Sequence, residues 1–148
     1  MIKVVALDIY GTVLAIDDED NVYPPRKGIE NFFDNCKSRK INVVSASDAD
    51  IGAVKIDLEE TFSNHNSVFN ILGEFDGFFY LNQLPVKDFS VIIGHYDILP
   101  KELLVIGDNA VKDVGGAKKY GCLFLHVPEY FTRIPDGFDF AMVNLRRD

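Results

Sequence analysis

The chain has 148 residues, enough for one domain with a real hydrophobic core but not for two. It is 47% hydrophobic and 26% charged, the balance of a soluble globular protein. With a net charge of -8 and no run of Lys or Arg, it offers neither a groove for nucleic acid nor a face for anionic membranes.

The core is expected to rest on ring packing, since 12 Phe and 6 Tyr stand beside no Trp. Cys36 shares a helical face with Ile29, Phe32 and Phe33, and Cys122 opens an apolar run. Both read as small buried hydrophobes rather than a disulfide or metal pair. No apolar stretch reaches membrane-spanning length, and a strand starting at Ile2 leaves no room for a signal peptide. A reducing cytoplasm is therefore the expected compartment.

Short apolar runs alternate with helical patterns along the chain, the mark of a parallel sheet covered on both faces. Residues 2–7 are nearly all apolar and predict a buried strand, closed by Asp8 and turned by Gly11. Residues 12–16 and 21–23 predict a small hairpin with the acidic tip Asp17-Asp18-Glu19-Asp20, read as a solvated loop. Residues 26–40 predict a helix whose apolar positions Ile29, Phe32, Phe33 and Cys36 share one face.

A second strand over 41–44 ends at Ser45, and Ser47 and Asp48 are placed to cap the next helix. Residues 51–72 predict helix broken at the polar cluster 63–67. Residues 77–81 predict a third strand and 87–96 a short helix beginning at Lys87. A fourth strand over 103–106 leads to Asp108, and a helix over 111–120 is closed by Gly121. Gly115 and Gly116 suit close helix–strand packing. Residues 123–127 predict a fifth strand and 139–145 an edge strand. The expected architecture is one three-layer, doubly wound α/β domain over residues 1–148.

In open α/β sheets reactive groups collect at the carboxyl ends of the strands. Asp8, Ser45, Lys87 and the pair Asp108 and Asp113 all fall at or beside such ends. An Asp after a strand is commonly just a turn residue; it is the ordered combination that carries meaning. A carboxylate attacks an electrophile well when its target is charge-neutralised and held in line. Asp8, at the end of the central buried strand, is the candidate nucleophile. The histidines His65, His95 and His126 share no ligand spacing and read as surface or satisfied core residues.

The combination resembles the four motifs of the haloacid dehalogenase superfamily. The motifs stand here as Leu7-Asp8-Ile9-Tyr10-Gly11-Thr12, as Val43-Val44-Ser45, as Lys87, and as Val105-Ile106-Gly107-Asp108-Asn109 with Asp113 and the small residues after it. The resemblance implies a Rossmann-like core that binds Mg²⁺ through Asp8, Asp108 and the main-chain carbonyl of Tyr10, with Asp113 either binding the ion through water or pairing with Lys87. It implies that Lys87 balances the negative charge, with Lys101 and Lys112 as replacements. Gly11, Thr12, Ser45 and Asn109 would bind substrate, the hydroxyl of Ser45 and the main-chain N–H groups after Asp8 holding a transferring phosphoryl group. The spans from Asp8 to Ser45 and from Ser45 to Lys87 are too short for a cap domain beside their sheet-covering helices.

One position departs from the family's phosphatases. The residue two after the nucleophile is normally a second Asp, which protonates the leaving group; here it is Tyr10. A phenol with a pKa near ~10 is a poor acid–base catalyst at neutral pH. Asp-x-Tyr-Gly-Thr is the pattern of the superfamily's L-2-haloacid dehalogenases, and Asn109 is similar to theirs as well. Against dehalogenation stand Gly107-Asp108, the missing cap, and Arg26, which lies too early to be the cap's halide-binding arginine.

The expected activity is thus Mg²⁺-dependent hydrolysis of a small phosphorylated molecule or a phosphorylated macromolecule through an aspartyl-phosphate on Asp8. It would be slow or limited to good leaving groups. A dehalogenase-like hydrolase and a non-catalytic binding module are the alternatives. Asp17 or Asp18 is the reserve proton donor.

Overall fold

The structure, a computed structural model, describes residues 1–17, 23–65 and 68–146. Five strands form one parallel sheet in the order β3-β2-β1-β4-β5. They are β1 (Val4–Leu7), β2 (Asn42–Ser47), β3 (Gly77–Tyr80), β4 (Leu103–Gly107) and β5 (Leu123–His126). The helices are α1 (Ile29–Ser38), α2 (Ile51–Asn64), α3 (Ile71–Glu74), α4 (Ser90–Tyr96) and α5 (Gly115–Tyr120). A π-helical turn, Ala110–Val114, leads into α5.

The strands alternate their side chains between two separate cores, as period-two geometry requires. Val5 and Leu7 of β1, Val43 of β2 and Leu104 and Ile106 of β4 meet Phe32 and Phe33 of α1 and Val54 and Leu58 of α2 on one face. Val4, Ala6, Val44, Leu103 and Val105 meet Ile92 of α4 and Ala117 of α5 on the other. This is the three-layer α/β arrangement that the apolar runs imply. Between β1 and β3 the described residues hold α1, α2 and α3 as their helices. Among the described residues no helix is long and apolar enough to cross a membrane.

Several boundaries differ from the sequence reading, each for a local reason. Helix α1 starts at Ile29 rather than Arg26, because Gly28 holds φ 81° and the Arg26 amide bonds to the Val13 carbonyl at 2.9 Å. Asp50, not Ser47 or Asp48, caps α2 by accepting the Ala53 amide at 3.1 Å. Helix α4 begins at Ser90, which leaves Lys87 in the preceding loop. Gly116 packs against that loop rather than a strand: a Cβ there would lie 2.7 Å from the Lys87 carbonyl oxygen.

The edge strand expected over 139–145 is absent. Asp139 instead caps a 3₁₀ turn, Phe140–Met142, and Phe140 is buried edge-on against Phe32 with ring centroids 5.3 Å apart. The alternation of Phe138 and Phe140 serves that docking. Residues 12–16 form a turn instead of a hairpin strand, and the rest of the expected hairpin, over 18–22 with Asp18, lies outside the described residues.

Candidate active site

Strand β1 is buried along its length and delivers Asp8 to the carboxyl edge of the sheet, where its amide still bonds to the Ile106 carbonyl at 2.9 Å. The chain then folds back on itself at once. The amides of Thr12, Val13 and Leu14 all converge on the Ile9 carbonyl, at 3.1, 2.8 and 3.0 Å, and the Gly11 amide reaches the Leu14 carbonyl at 2.8 Å. Gly11 makes the turn at φ 81°, and a Cβ there would stand 2.6 Å from Oδ2 of Asp108. The amides of Gly11 and Thr12 are therefore spent inside the turn, which leaves the Thr12 hydroxyl as the polar group that this pair presents.

That hydroxyl joins two loops. Thr12 Oγ1 lies 3.2 Å from Asp8 Oδ2 and 3.0 Å from Asp108 Oδ1, and its single hydrogen serves one of them at a time. Lys87 closes the arrangement from the opposite core. Its Nζ donates to Asp8 Oδ1 at 3.1 Å, to the Ala46 carbonyl at 2.7 Å and to Asp113 Oδ1 at 2.6 Å, using all three protons of the ammonium group. Lys87 is buried, and although desolvation opposes its charge, Asp8 and Asp113 hold its pKa above the ordinary lysine value. Of Lys87, Lys101 and Lys112, it is Lys87 that sits at the centre of the constellation.

The carboxylates of Asp8, Asp108 and Asp113 bring one oxygen each to within 4.8 Å of one another. One lysine does not balance three such groups. Burial, and then Asp8, push Asp108 up to about 7. Burial and then the charge of Asp8 push Asp113 up to about 6, against the pull of Lys87. Hard oxygens crowded together and short of positive charge fit a divalent cation such as Mg²⁺.

Strand β2 runs two residues past the expected end, so Ser45 lies inside its buried run, paired in register with Leu7, the residue before Asp8. Asn109 turns its Oδ1 inward, accepting the amides of Val111 at 3.0 Å and Lys112 at 2.8 Å. Lys112 in turn pairs with Asp48 at 2.6 Å on the loop after β2, so it does not take the place of Lys87. Nor does Lys101, which lies in the turn ahead of β4, at the other end of that strand.

Tyr10 does not point its hydroxyl at the Asp8 cluster as a free acid. The hydroxyl donates to Asp57 of α2 in a short hydrogen bond, and burial, then the Asp57 carboxylate, drive its pKa well above the ordinary tyrosine value. Sequence reasoning missed Asp57. It precedes core residue Leu58 on a helix where the visible signal is the apolar face.

Two other residues have structural duties. Asp17 accepts the amide and hydroxyl of Thr132, at 3.2 and 3.1 Å, and so faces the loop after β5. Arg26 is buried, donating to the Thr12 carbonyl at 3.3 Å and to Asp136 at 2.8 Å under the ring of Phe138. His126 joins β5 to the site through the Asp108 carbonyl, 3.0 Å from its Nε2.

No protein-family model matches the chain, and no curated protein is similar to it by sequence. Solved structures are similar in fold. A predicted phosphoglycolate phosphatase from Haemophilus somnus superposes with a TM-score of 0.59 at 20% identity, over 79% of this chain and 54% of the other. This chain thus spans about half the length of that protein. The N-terminal part of a Bacteroides fragilis protein, which contains a phosphatase domain complexed with Mg, gives 0.64 at 17% identity over 86% and 36% of the two chains. L-2-haloacid dehalogenase from Xanthobacter autotrophicus gives 0.61 at 14% identity over 90% and 80%. The chain has the fold of the haloacid dehalogenase superfamily of hydrolases.

Proposed function

We propose that this chain is a Mg²⁺-dependent phosphohydrolase of the haloacid dehalogenase type, with Asp8 as the nucleophile. The observation that carries the reading is the Asp8 carboxylate, held on one side by the Lys87 ammonium and on the other among Asp108, Asp113 and the Thr12 hydroxyl. Asp8, Asp108, Asp113 and the main-chain carbonyl of Tyr10 would hold the ion. Bound Mg²⁺ supplies positive charge that neutralises the phosphoryl oxygens and orients them for attack.

The chain's own residues do the rest. Lys87 fixes the Asp8 carboxylate by a hydrogen bond to its Oδ1. An Asp8 oxygen attacks phosphorus as the ester or anhydride P–O bond breaks, giving an aspartyl-phosphate. Ser45 hydrogen-bonds the transferring group. Water then attacks that phosphorus, releasing inorganic phosphate and restoring Asp8. With the Tyr10 hydroxyl donated to Asp57, the leaving oxygen takes its proton from water, which favours acyl and aryl phosphates over alkyl ones.

The test is hydrolysis of acetyl phosphate and p-nitrophenyl phosphate, with Mg²⁺ and with EDTA, by the wild type and Asp8→Asn. Turnover that requires both Mg²⁺ and Asp8 is expected. Turnover surviving Asp8→Asn would overturn the assignment. Tyr10 favours one second reading, a metal-independent haloacid dehalogenase; halide release from 2-chloropropionate in EDTA would establish it. Mg²⁺ binding with neither reaction would make the chain a binding module.

A further inference from the structure

The pair formed by Lys112 and Asp48 is not used by the reaction above. It bridges two loops of the site, the one that follows Ser45 and the one that follows Asp108. Its position is fixed by the site itself. The carbonyl of Lys112 accepts the Lys87 amide at 3.1 Å, and its amide is held by Asn109 at 2.8 Å. Asp48 lies in the field of Lys87: its pKa is lowered first by the hydrogen bond from Lys112 and further by the charges of both lysines. Yet the two partners are about 35% and 43% exposed, so the pair stands at the open rim rather than in the floor.

An ion pair this exposed contributes little to stability. It is a weak clasp, and an incoming group can exchange with it at little cost. Among the described residues, only one of the three ammonium protons of Lys112 goes to Asp48. Asn109 adds to the same rim. Two main-chain amides occupy its Oδ1, and among the described residues the NH₂ of this exposed side chain has no protein acceptor. The rim therefore presents donors from an ammonium and a carboxamide three residues apart on one turn. A ligand cation would have to approach Asp48 against the charge of Lys112, with no acceptor gained from Asn109.

We infer that Lys112 and Asn109 recognise a second acidic group on the substrate, so that the site takes small phosphoesters or acyl phosphates that also carry a carboxylate or another phosphate. Asp48 is the resident counter-ion that this group displaces. The inference rests on the phosphohydrolase reading and names its substrate class.

The experiment is calorimetric binding, in Mg²⁺, to the Asp8→Asn protein, which holds substrate without turning it over. Four small phosphomonoesters vary the charge carried beside the phosphate: glycerol 3-phosphate with none, 3-phosphoglycerate with a carboxylate, 2,3-bisphosphoglycerate with a carboxylate and a second phosphate, and phosphoethanolamine with an ammonium. The acidic ligands are expected to bind about tenfold tighter than glycerol 3-phosphate. The two of them together show whether a carboxylate suffices or a phosphate is needed. Adding Lys112→Gln should reduce the advantage to less than about twofold, and adding Asp48→Asn should keep or widen it.

Equal binding of all four ligands, preference for phosphoethanolamine, or an advantage that survives Lys112→Gln would overturn the inference and leave the phosphohydrolase reading standing. Binding of none of them would remove that reading, and the inference with it.

Discussion

The hydroxyl of Tyr10 donates to the carboxylate of Asp57, a residue 47 positions further along the chain on a different element. The bond turns the side chain that replaces the family's usual acid toward α2, and it keeps the phenol protonated far past neutrality. Shortening this side chain to a carboxylate restores an acid next to the reaction and gives up the Asp57 contact. Tyr10→Asp is expected to raise turnover of an alkyl phosphate by at least about tenfold while changing acetyl phosphate much less, since a positioned general acid contributes ~10²–10⁴ where the leaving group is poor. Steady-state kinetics on the two substrates reads this directly. An unchanged ratio would place the proton source elsewhere.

Lys87 is the single buried cation between Asp8 and Asp113 among the described residues. Lys87→Met leaves two buried carboxylates uncompensated, and removing one partner of a buried ion pair costs about 3–5 kcal/mol. The variant is expected to unfold at markedly lower urea concentration and to recover part of the loss at pH 5, where Asp113, already pushed up to about 6, takes up a proton. A denaturant series at pH 7.5 and pH 5 checks both parts. Equal midpoints for variant and wild type would show that the pair carries no net stability.

Without metal, protein stability should rise as the pH falls from about 7.5 toward 5. Asp108, pushed up to about 7, and Asp113, pushed up to about 6, hold protons in the folded state through a range where the unfolded chain has released them. The folded state binds more protons there, so acid favours it. Saturating Mg²⁺ favours the ionised carboxylates and should reverse that slope between pH 5 and 7. Melting temperatures across pH, in EDTA and in Mg²⁺, make the comparison. Parallel curves would contradict it.

Arg26 is buried with its Nε unpartnered among the described residues, under Phe138 at 4.6 Å and near Tyr130 at 5.3 Å. Its fork ties the turn after Asp8 to Asp136. Arg26→Lys keeps the charge but not the planar stacking, so it is expected to lower stability by about 1–3 kcal/mol and to expose the loop over 128–138 to protease. Limited proteolysis with mass mapping of the first cut tests this. A first cut elsewhere would show that the loop is held by other means.

The sequence reading and the structure agree where one force dominates. Runs such as Val4–Leu7 and Leu103–Gly107 are apolar on both faces because both faces are covered, and such runs are visible without coordinates. Asp8, Asp108 and Asp113 were legible because each follows such a run or a short fixed interval after it. What stayed hidden depends on contacts between distant segments. Lys87 looked like the start of a helix, yet its amide bonds to the Lys112 carbonyl and its ammonium group is taken by three other segments. Asp57 carries no signal of its own in the helical pattern of residues 51–72, and only the contact from Tyr10 gives it a part in the site. The 139–145 segment has the alternation of a strand, but Phe140 finds Phe32 before it finds a sheet edge.

The strand order has a consequence for synthesis. Strand β1 precedes the other four strands in chain order and lies at the centre of the sheet, but one of its two neighbours, β4, is the fourth strand to be made. Until Leu104 and Ile106 emerge, the edge of Val4–Leu7 that they will cover stays unpaired, and it is an apolar strand of the kind other chains add to. Until β4 follows, Asp8 and Ser45 therefore stand beside an open, sticky edge. The strand that seals that edge also delivers Asp108 and leads straight into the turn of Asp113, so the step that ends the hazard of aggregation also brings the acidic cluster together.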